Sequence, residues 1–388
     1  MKCLLLFLCI LSLTQAMPHP GTDENVNNAL FRLALKLLDD KPNESAVVSP
    51  FSVGMALSTI NVGGKGKTSD EITKEAFNGM SKNIVDSWFK DTIRHLQSAR
   101  DNIKLASAIY AEKTIDILKS YQDSLKISYN TKVNKVDFID QHKDQRAAIN
   151  EFVKSVTSGN IPEVLAKNDV SSATRFVAVN VLHVKSQFAH KFYKEDTKKA
   201  DFHKEGKSTK KVDMMHRTLG GTYFETKDYA YAALSFNSPG LSLFLIVPKT
   251  GTLTALKEKF VSATHKYTAA TNQAGYFPEL HVTMPKINQN VHLNLKDAMK
   301  KHGVTEMFAS KADFSGISKD KLIVDDIIHQ AKIDVDEEGV TASAATVLSM
   351  VGGAGFCREN CEATIVADKP FIFGIAHGRT PLFVGQYY

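Results

Sequence analysis

The chain has 388 residues, of which 43% are hydrophobic and 23% charged, and its formal net charge is +6. A chain of this length can bury a large core, and its mildly basic balance gives no reason to expect a nucleic-acid partner. Glycine and proline are scattered, and no linker, repeat or low-complexity tract marks a boundary. We therefore expect one large domain.

The N-terminus has the pattern of a secretory signal peptide. A basic start precedes an apolar run from Cys3 to Leu13, and the small residue Ala16 precedes the expected cleavage point. The apolar run is too short to span a bilayer, and no second long run follows. The sequence predicts a signal peptide at 1–16, a single domain at 17–388, and a secreted protein without a membrane partner.

Secretion would place the remaining cysteines in an oxidising compartment. Cys357 and Cys361 are the two that lie outside the signal peptide, and they can form a local disulfide. The same compartment makes Asn43, in the sequon Asn-Glu-Ser, an expected glycosylation site.

Helix signals are strongest in the first part of the chain. Leucines at helical spacing line one face of Glu24–Asp40, and Thr68 with Glu71 has the form of a capping box. Further helices are expected around Ser87–Ala99, Gln145–Val156 and Asn294–His302.

Strand signals dominate the later part of the chain. Thr174–Val184 is long and β-branched, which suits a central strand, and Leu241–Pro248 is typical of a buried strand ended by proline. Four further strand-like runs follow: Leu280–Ile287, Leu322–Asp336, Pro370–Ala376 and Pro381–Tyr388. Helices gathered early and strands gathered late indicate an α+β protein.

Motifs of catalysis and of metal binding are absent from the sequence. Gly66-Lys67-Thr68 superficially suggests a phosphate-binding loop, but Asn61 stands where that loop requires its first glycine. The 13 histidines do not cluster at metal-ligand spacings, and no nucleophile-elbow or zinc-protease motif occurs. We expect no enzymatic activity, no metal and no cofactor.

The densest basic segment is Lys198–Lys211. Asp201 and Glu205 lie among its lysines, which is typical of a solvated loop and strand edge. Weak polyanion binding at this segment is the alternative interpretation.

The segment from Val340 to Phe356 carries no charge and no proline, although it follows the acidic run Asp334–Glu338. Read with a period of two, one face is apolar and the other mixes hydroxyl groups with small side chains. It can join a sheet, since no charge would be buried and no proline would remove a ladder hydrogen bond. Gly339 and the run Gly352–Gly355 provide flexible joints at its two ends. The pattern indicates a loop able to insert into a sheet as a strand.

Several motifs resemble those of serpins, in the order found in that family. The run Asp336–Thr346 resembles the serpin hinge, and Val47–Ser58 resembles the segment beneath the central sheet. Ala312–Ser318, Asp368–Ala376 and Pro381–Tyr388 resemble the family's C-terminal signatures. The resemblance covers nearly the whole mature chain.

The resemblance implies a serpin fold with three sheets, about nine helices and an exposed reactive-centre loop at about 339–366. It assigns hinge positions to Glu337, Glu338, Gly339, Val340, Thr341, Ala342, Ser343, Ala344, Ala345 and Thr346. It assigns the polar shutter beneath the sheet to Ser49, Ser52, Asn180 and His329.

The resemblance also implies the function. The protein would be a monomer that traps a serine protease as an acyl-enzyme while its cut loop enters the central sheet. The sequence leaves the target open between trypsin-, chymotrypsin- and elastase-like enzymes. Counting from the hinge places the scissile bond at Gly353-Ala354, whereas counting back from Pro370 places it near Arg358, with Phe356 between them.

The two cysteines constrain this choice. If Cys357 and Cys361 are bonded, a cut after Arg358 falls inside the disulfide ring, so the protease could not be carried away. We therefore expect the trapping cut before Cys357. The sequence also departs from the family at Phe188, where most members have a tryptophan, and we expect a small effect on stability.

Two other classes of function remain. Some serpins are non-inhibitory binding or carrier proteins, but the small, uncharged hinge favours an inhibitor. A hydrolase with a site assembled across the fold would require turnover, and no motif suggests one.

Overall fold

The computed structural model describes residues 20–98, 103–205, 208–263, 265–324, 327–340 and 361–388. These ranges hold nine α-helices: Pro20–Leu38 (α1), Pro50–Gly63 (α2), Gly66–Phe77 (α3), Lys82–Ser98 (α4), Lys119–Tyr129 (α5), Phe138–Val156 (α6), Leu253–Ser262 (α7), Lys266–Gln273 (α8) and Lys296–Lys301 (α9). Among the helices so described, none has the length and apolar character needed to cross a membrane.

Sixteen strands lie in the same ranges. They are Ala46–Val48 (β1), Ile103–Glu112 (β2), Lys132–Val136 (β3), Phe176–Val184 (β4), Ser186–Gln187 (β5), Lys198–His203 (β6), Thr209–Glu225 (β7), Tyr229–Ser235 (β8), Leu241–Pro248 (β9), Gly275–Pro285 (β10), Ile287–Asn294 (β11), Ile328–Val335 (β12), Gly339–Val340 (β13), Glu362–Val366 (β14), Phe371–His377 (β15) and Thr380–Tyr387 (β16). The expected α+β class is confirmed.

The largest sheet has nine strands in the order β1-β16-β15-β9-β8-β7-β10-β14, with β6 paired to β7. Its first and last strands in sequence meet directly, because β1 pairs antiparallel with β16. The hydroxyl of Ser45 extends this pairing by accepting the backbone N–H of Tyr388 at 2.9 Å and donating to its carbonyl oxygen at 3.2 Å.

The other two sheets are halves of one layer. Three strands pair in the order β3-β2-β4, and four strands pair in the order β11-β12-β13-β5. Only Lys185 separates β4 from β5, so one continuous stretch of chain contributes to both halves. Among the described residues, no backbone pairing joins β4 to β12. Thr174–Val184, expected to be a central strand, pairs on one side only, with β2.

The main core lies between α1, α2 and the nine-stranded sheet. Phe31 on α1 stacks on Tyr267 of α8 with ring centroids 4.3 Å apart, and both side chains are fully buried. A second apolar cluster packs α6 against β2 and β4, with Phe138 and Val153 on the helix and Val179 on the sheet. This cluster covers one face of the sheet next to the β4–β12 boundary.

Helix boundaries depend on contacts that are distant in sequence. The predicted Gln145–Val156 is only the second half of α6, whose N-terminus is fixed by Asp137 accepting the Asp140 N–H at 3.0 Å. The predicted capping box at Thr68 and Glu71 is wrong. Both residues lie inside α3, where the Thr68 hydroxyl accepts the N–H of Asp313 at 2.9 Å.

Candidate functional site: the hinge strand and the split sheet

A tight turn at Asp336 reverses the chain between β12 and β13. The Asp336 carboxylate accepts the backbone N–H of Glu338 at 2.8 Å and of Gly339 at 3.3 Å. The Asp336 N–H donates to the carbonyl oxygen of Gly339 at 3.0 Å. The Asp336 side chain thus provides acceptors for two backbone N–H groups of the turn. This turn places Gly339 and Val340 alongside β12.

Each of the next two acids is held by cations from elsewhere in the chain. Glu337 is 3% exposed and accepts from Lys286 Nζ at 2.8 Å and from the Thr197 hydroxyl at 2.7 Å. Burial raises the pKa of Glu337, but these hydrogen bonds outweigh burial and hold the pKa below its usual range. Glu338 is more exposed and accepts from Lys191 Nζ at 2.6 Å, which lowers its pKa.

Gly339 makes an approach that requires glycine. Its φ is +143°, and a Cβ built on it would lie 2.3 Å from the carbonyl oxygen of Ser186 and 2.7 Å from Cα of Gln187. Both of those atoms belong to backbone, so they cannot move aside as a flexible side chain would. Gly339, expected from the sequence to be a flexible joint, also permits close strand pairing in the structure.

The hinge strand β13 lies between β12 and β5. Val340 pairs antiparallel with Val335 on one side and with Ser186 on the other, and its side chain is buried. Gly339 and the first residue of the uncharged segment, Val340, are therefore already part of the sheet β11-β12-β13-β5.

Phe188 packs in a cluster of aromatic side chains beside the hinge strand. Its ring stacks on Phe236 at a centroid distance of 4.9 Å and meets Phe192 edge-on at 5.6 Å. Its N–H donates to the carbonyl oxygen of Glu338 at 2.9 Å. The side chain is fully buried, so phenylalanine fills the site at which the family usually has tryptophan.

Beyond β13, the edge of β4 that faces β12 carries polar groups without partners. Both polar atoms of the Asn180 side chain are inaccessible to solvent and make no hydrogen bond, and the same holds for Nε2 of His183. Burial and the neighbouring lysines Lys185, Lys332 and Lys104 lower the pKa of His183 to about 4. Buried polar groups without partners are costly, so this edge is stabilised by any rearrangement that supplies partners.

Three of the four expected shutter residues meet beneath the sheet. The N–H of Ser49 donates to Nε2 of His329 at 2.9 Å, and the Ser49 hydroxyl donates to the carbonyl oxygen of Leu382 at 2.7 Å. The Ser49 hydroxyl also accepts the N–H of Ser52 at 3.2 Å, which caps α2. Burial lowers the pKa of His329 to about 4, so the ring is neutral and Nε2 can accept. Asn180 makes no hydrogen bond to this group.

The end of the expected reactive-centre loop also joins a sheet. Residues 362–366, which the sequence analysis included in the loop, form β14 and pair in parallel with β10. Cys361 precedes β14 and is half-buried. Several predicted residues lie outside the described ranges: 1–16, Thr341, Ala342, Ser343, Ala344, Ala345, Thr346, Gly353, Ala354, Phe356, Cys357 and Arg358. The scissile bond and the disulfide therefore remain predictions.

Surface residues named from the sequence can be located. Asn43 is exposed, with φ +59°, at the turn before β1. In the basic hairpin, Lys199 pairs with Asp213 at 3.0 Å and Lys211 pairs with Asp201 at 3.0 Å. These pairs agree with a solvated strand edge. In the described part of the chain, no cluster of His, Cys, Asp and Glu could hold a metal ion.

Sequence reasoning missed the two lysines and the threonine that hold the hinge. Lys286, Lys191 and Thr197 have no local motif, and their partners lie far away in the chain. The only available signal is the acidic run itself, since acids this close together require compensating charge.

Comparisons with known proteins agree on one family. Residues 24–388 match the family described as Serpin (serine protease inhibitor). Leukocyte elastase inhibitor A of Mus musculus is 33% identical over 376 residues, covering 92% of this chain and 97% of that protein. Serpin48 of the insect Tenebrio molitor has a TM-score of 0.79 at 25% identity, covering 95% of this chain and 98% of that one. A thyroxine-binding globulin in complex with thyroxine has a TM-score of 0.77 at 20% identity, covering 94% and 98% respectively.

Proposed function

Because the chain belongs to the serpin family, we propose that it is a secreted, irreversible inhibitor of serine proteases. The protease attacks the segment between β13 and β14 and forms an acyl-enzyme. The cut segment then enters the sheet between β4 and β12, and the trapped protease is carried with it. The protease supplies the nucleophile, so the inhibitor needs no catalytic group of its own.

The observation that supports this proposal best is the position of β13. Gly339 and Val340 already pair with β12 and β5, and the strands that continue below them, β12 and β4, are not paired with each other among the described residues. A strand growing from Val340 would therefore find a free edge on each side.

The energetic gain comes from pairing and burial. Each new ladder hydrogen bond contributes about 0.5–1.5 kcal/mol, and a strand with small side chains buries apolar area without burying charge. The partnerless amide of Asn180 and ring nitrogen of His183 lie on β4, where an added strand could supply partners. Insertion of the cut segment would thus make the sheet more stable than it is in the intact protein.

The trapping cut is placed before Cys357, at Gly353 or Phe356. If Cys357 and Cys361 are bonded, cleavage after Arg358 would leave both new ends tied in one ring. Arg358 would then serve only as a reversible-binding or substrate site. Mapping the cut of a trapped complex to Arg358, with the disulfide intact, would overturn this placement.

The first experiment mixes the purified protein with trypsin-, chymotrypsin- and elastase-like proteases. We expect an SDS-stable adduct with at least one class, and mass spectrometry of the released C-terminal fragment identifies the scissile bond. Cleavage without an adduct for every class would instead favour a non-inhibitory binding protein.

A hinge variant provides the matched control. Ala342→Glu places a carboxylate in the uncharged segment just beyond β13, which opposes entry of that segment into the sheet because an unpaired charge must be desolvated. We expect this variant to be cleaved at the same bond but to form far less adduct. If it forms as much adduct as the wild type, insertion beyond β13 is not what traps the protease.

Secretion is tested separately by expression in cells with a secretory pathway. We expect medium-borne protein whose first residue is Met17 and whose mass falls when N-glycans are removed enzymatically. Asn43→Gln should abolish that mass change. Protein retained inside the cell with residues 1–16 intact would contradict the proposal.

A further inference from the structure

An open groove lies beside the start of β14. It has a volume of about 1150 Å³ and is bounded by the end of β7, the start of β10 and residues 361–364. Its walls carry four aromatic rings and three carboxylates: Tyr223, Phe224, Tyr276, Phe277, Glu225, Glu279 and Glu362. Glu225 accepts from Lys249 Nζ at 2.7 Å, so Glu279 and Glu362 are the carboxylates that remain to attract a cation.

Two of these carboxylates face each other in an unfavourable pair. Glu279 of β10 lies directly in register with Glu362 of β14, and both are exposed. The Glu362 carboxylate accepts from His281 Nε2 at 2.9 Å, whereas Glu279 forms no ion pair with any described residue. Like charges directly opposite on neighbouring strands destabilise a sheet. A cationic partner would relieve this repulsion.

The aromatic rings provide surfaces suited to the same partner. Tyr276 is 37% exposed, and its hydroxyl lies over Gly220, where a Cβ would come within 2.2 Å of it. Tyr223 and Phe277 meet edge-on at 5.6 Å and form the adjoining wall. Aromatic faces next to carboxylates bind guanidinium and ammonium groups through combined stacking and charge.

A bulge in β10 gives the groove its shape. The register of β10 against β7 shifts between Phe277 and Leu280, so one additional residue is accommodated beside Gly221 and Leu219. Bulges of this kind redirect side chains and are common next to functional sites. Glu279 is one of the two residues in the bulge, so the bulge itself positions the carboxylate that lies opposite Glu362.

The groove is continuous with the segment that the protease must engage. Cys361 lines the groove and directly follows residues 341–360. A protease that engages residues 341–360 is therefore attached to the chain at a point adjacent in sequence to the groove. We propose that the groove is an accessory docking site for an arginine- or lysine-bearing surface segment of the target protease. This inference rests on the proposed function.

The size of the groove and its open side suit a protein segment better than a small molecule. Small-molecule sites usually enclose about 300–1,000 Å³ and bury most of the ligand, whereas this groove is open along one side of the sheet and exposes Tyr276, Glu279 and Glu362. Opposite charges at the rim of an interface chiefly accelerate encounter and make its rate depend on salt.

The test compares association rates of the wild type and Glu279→Gln with the protease that forms the adduct fastest. We expect the variant to associate about three- to fivefold more slowly at low salt, with the difference disappearing near 1 M salt, where charges are screened. The number of inhibitor molecules consumed per trapped protease should not change. Tyr276→Leu should also slow association, and Glu258→Gln, at an exposed carboxylate on α7, should not.

Each outcome has one meaning. If the wild type forms no adduct with any protease, the proposed function fails. If it forms adducts but Glu279→Gln matches its rate and salt dependence, only the docking site is refuted. Pentaarginine provides a direct probe: it should slow adduct formation by the wild type at low salt and have a smaller effect on Glu279→Gln. An equal effect on both proteins would also refute the docking site.

Discussion

At the scale of single residues, the hinge depends on a position where the neighbouring backbone leaves no space for a side chain. Gly339 approaches the backbone of β5 so closely that one added methyl group would displace it. Val340, next to it, needs an apolar side chain of moderate size because it is buried between two strands. Adjacent positions therefore impose opposite requirements, one for no side chain and one for a buried side chain.

Gly339→Ala should detach the hinge strand. The backbone clash adds to the strain of a positive φ, which costs about 1–3 kcal/mol. We expect lower stability in urea and faster hydrogen exchange in the segment 337–340. Gly79→Ala is the control, since Gly79 has φ +78° but no atom within 4 Å of the added Cβ. If both variants leave exchange at the hinge unchanged, the close approach is not what holds β13.

Lys286→Met should loosen the same region by leaving the buried Glu337 without its cation. Removing one partner of a fully buried pair typically costs about 3–5 kcal/mol. The loss here should be smaller, because the Lys286 side chain is 39% exposed and the Thr197 hydroxyl remains. Lys119→Met removes the exposed pair with Asp123 and should cost less than about 1 kcal/mol. Chemical denaturation of both variants makes the comparison, and equal losses would refute the role assigned to Lys286.

At the scale of secondary-structure elements, the unpaired boundary between β4 and β12 is the main feature. Strand edges that lack partners exchange their amide protons readily and invite another strand. In the intact protein, β13 joins the two halves only at one end, next to the turn at Asp336.

Cleavage of the segment between β13 and β14 should change this boundary. We expect amides of β4 and β12 to exchange faster in the intact protein than in the cleaved one, because the inserted strand would protect both edges. Hydrogen exchange followed by mass spectrometry measures this, with β9, inside the nine-stranded sheet, as an internal reference. Unchanged exchange in β4 and β12 after cleavage would mean that the cut segment stays outside the sheet.

Some elements could be read from the sequence because their signals are local. Leu241–Pro248 was predicted with the observed bounds of β9, since the whole run is apolar and proline ends it. A hinge was expected at Glu337–Thr346 from the resemblance, and of these residues Glu337–Val340 are described. Its pairing could not be predicted, because the partner β5 is only Ser186 and Gln187, two polar residues without a strand signal.

The polar group beneath the sheet was predicted from resemblance with partial agreement. Ser49, Ser52 and His329 meet because an N-cap serine and a strand histidine come together across 280 positions of sequence. Asn180 does not join them, because it lies on β4, which is not paired with β12. Whether Asn180 lies within reach of His329 depends on how β4 and β12 are paired, and a single sequence does not specify strand pairing.

At the scale of the whole molecule, two buried histidines make stability depend on pH. His329 and His183 both have pKa values lowered to about 4, with burial as the first cause. An unfolded histidine has a pKa of about 6.5. Between these values the unfolded chain binds more protons than the folded one, so stability is fully present above about pH 6.5 and is lost as pH falls toward 4.

We therefore expect the midpoint of urea unfolding to fall steadily from pH 7 to pH 4. The His329 shift corresponds to a contribution on the order of 3 kcal/mol. His329→Gln should be less stable than the wild type at pH 7, because glutamine must replace the ring nitrogen that accepts from Ser49. Its stability should change less between pH 7 and pH 4. An equal slope for both proteins would show that His329 does not carry the pH dependence.

The pairing of β1 with β16 has a consequence for the order in which the protein is made. Ala46–Val48 must wait for Thr380–Tyr387, because the ribosome releases the chain from its N-terminus. The hydroxyl of Ser45 is likewise without its partner until Tyr388 has been synthesised. On the proposal that the chain is secreted and glycosylated at Asn43, that interval is when the sequon is open to the enzyme that attaches sugars, because closure of the sheet withdraws the Ser45 hydroxyl. Synthesis of β16 and Tyr388 would then end the period in which this site can be modified.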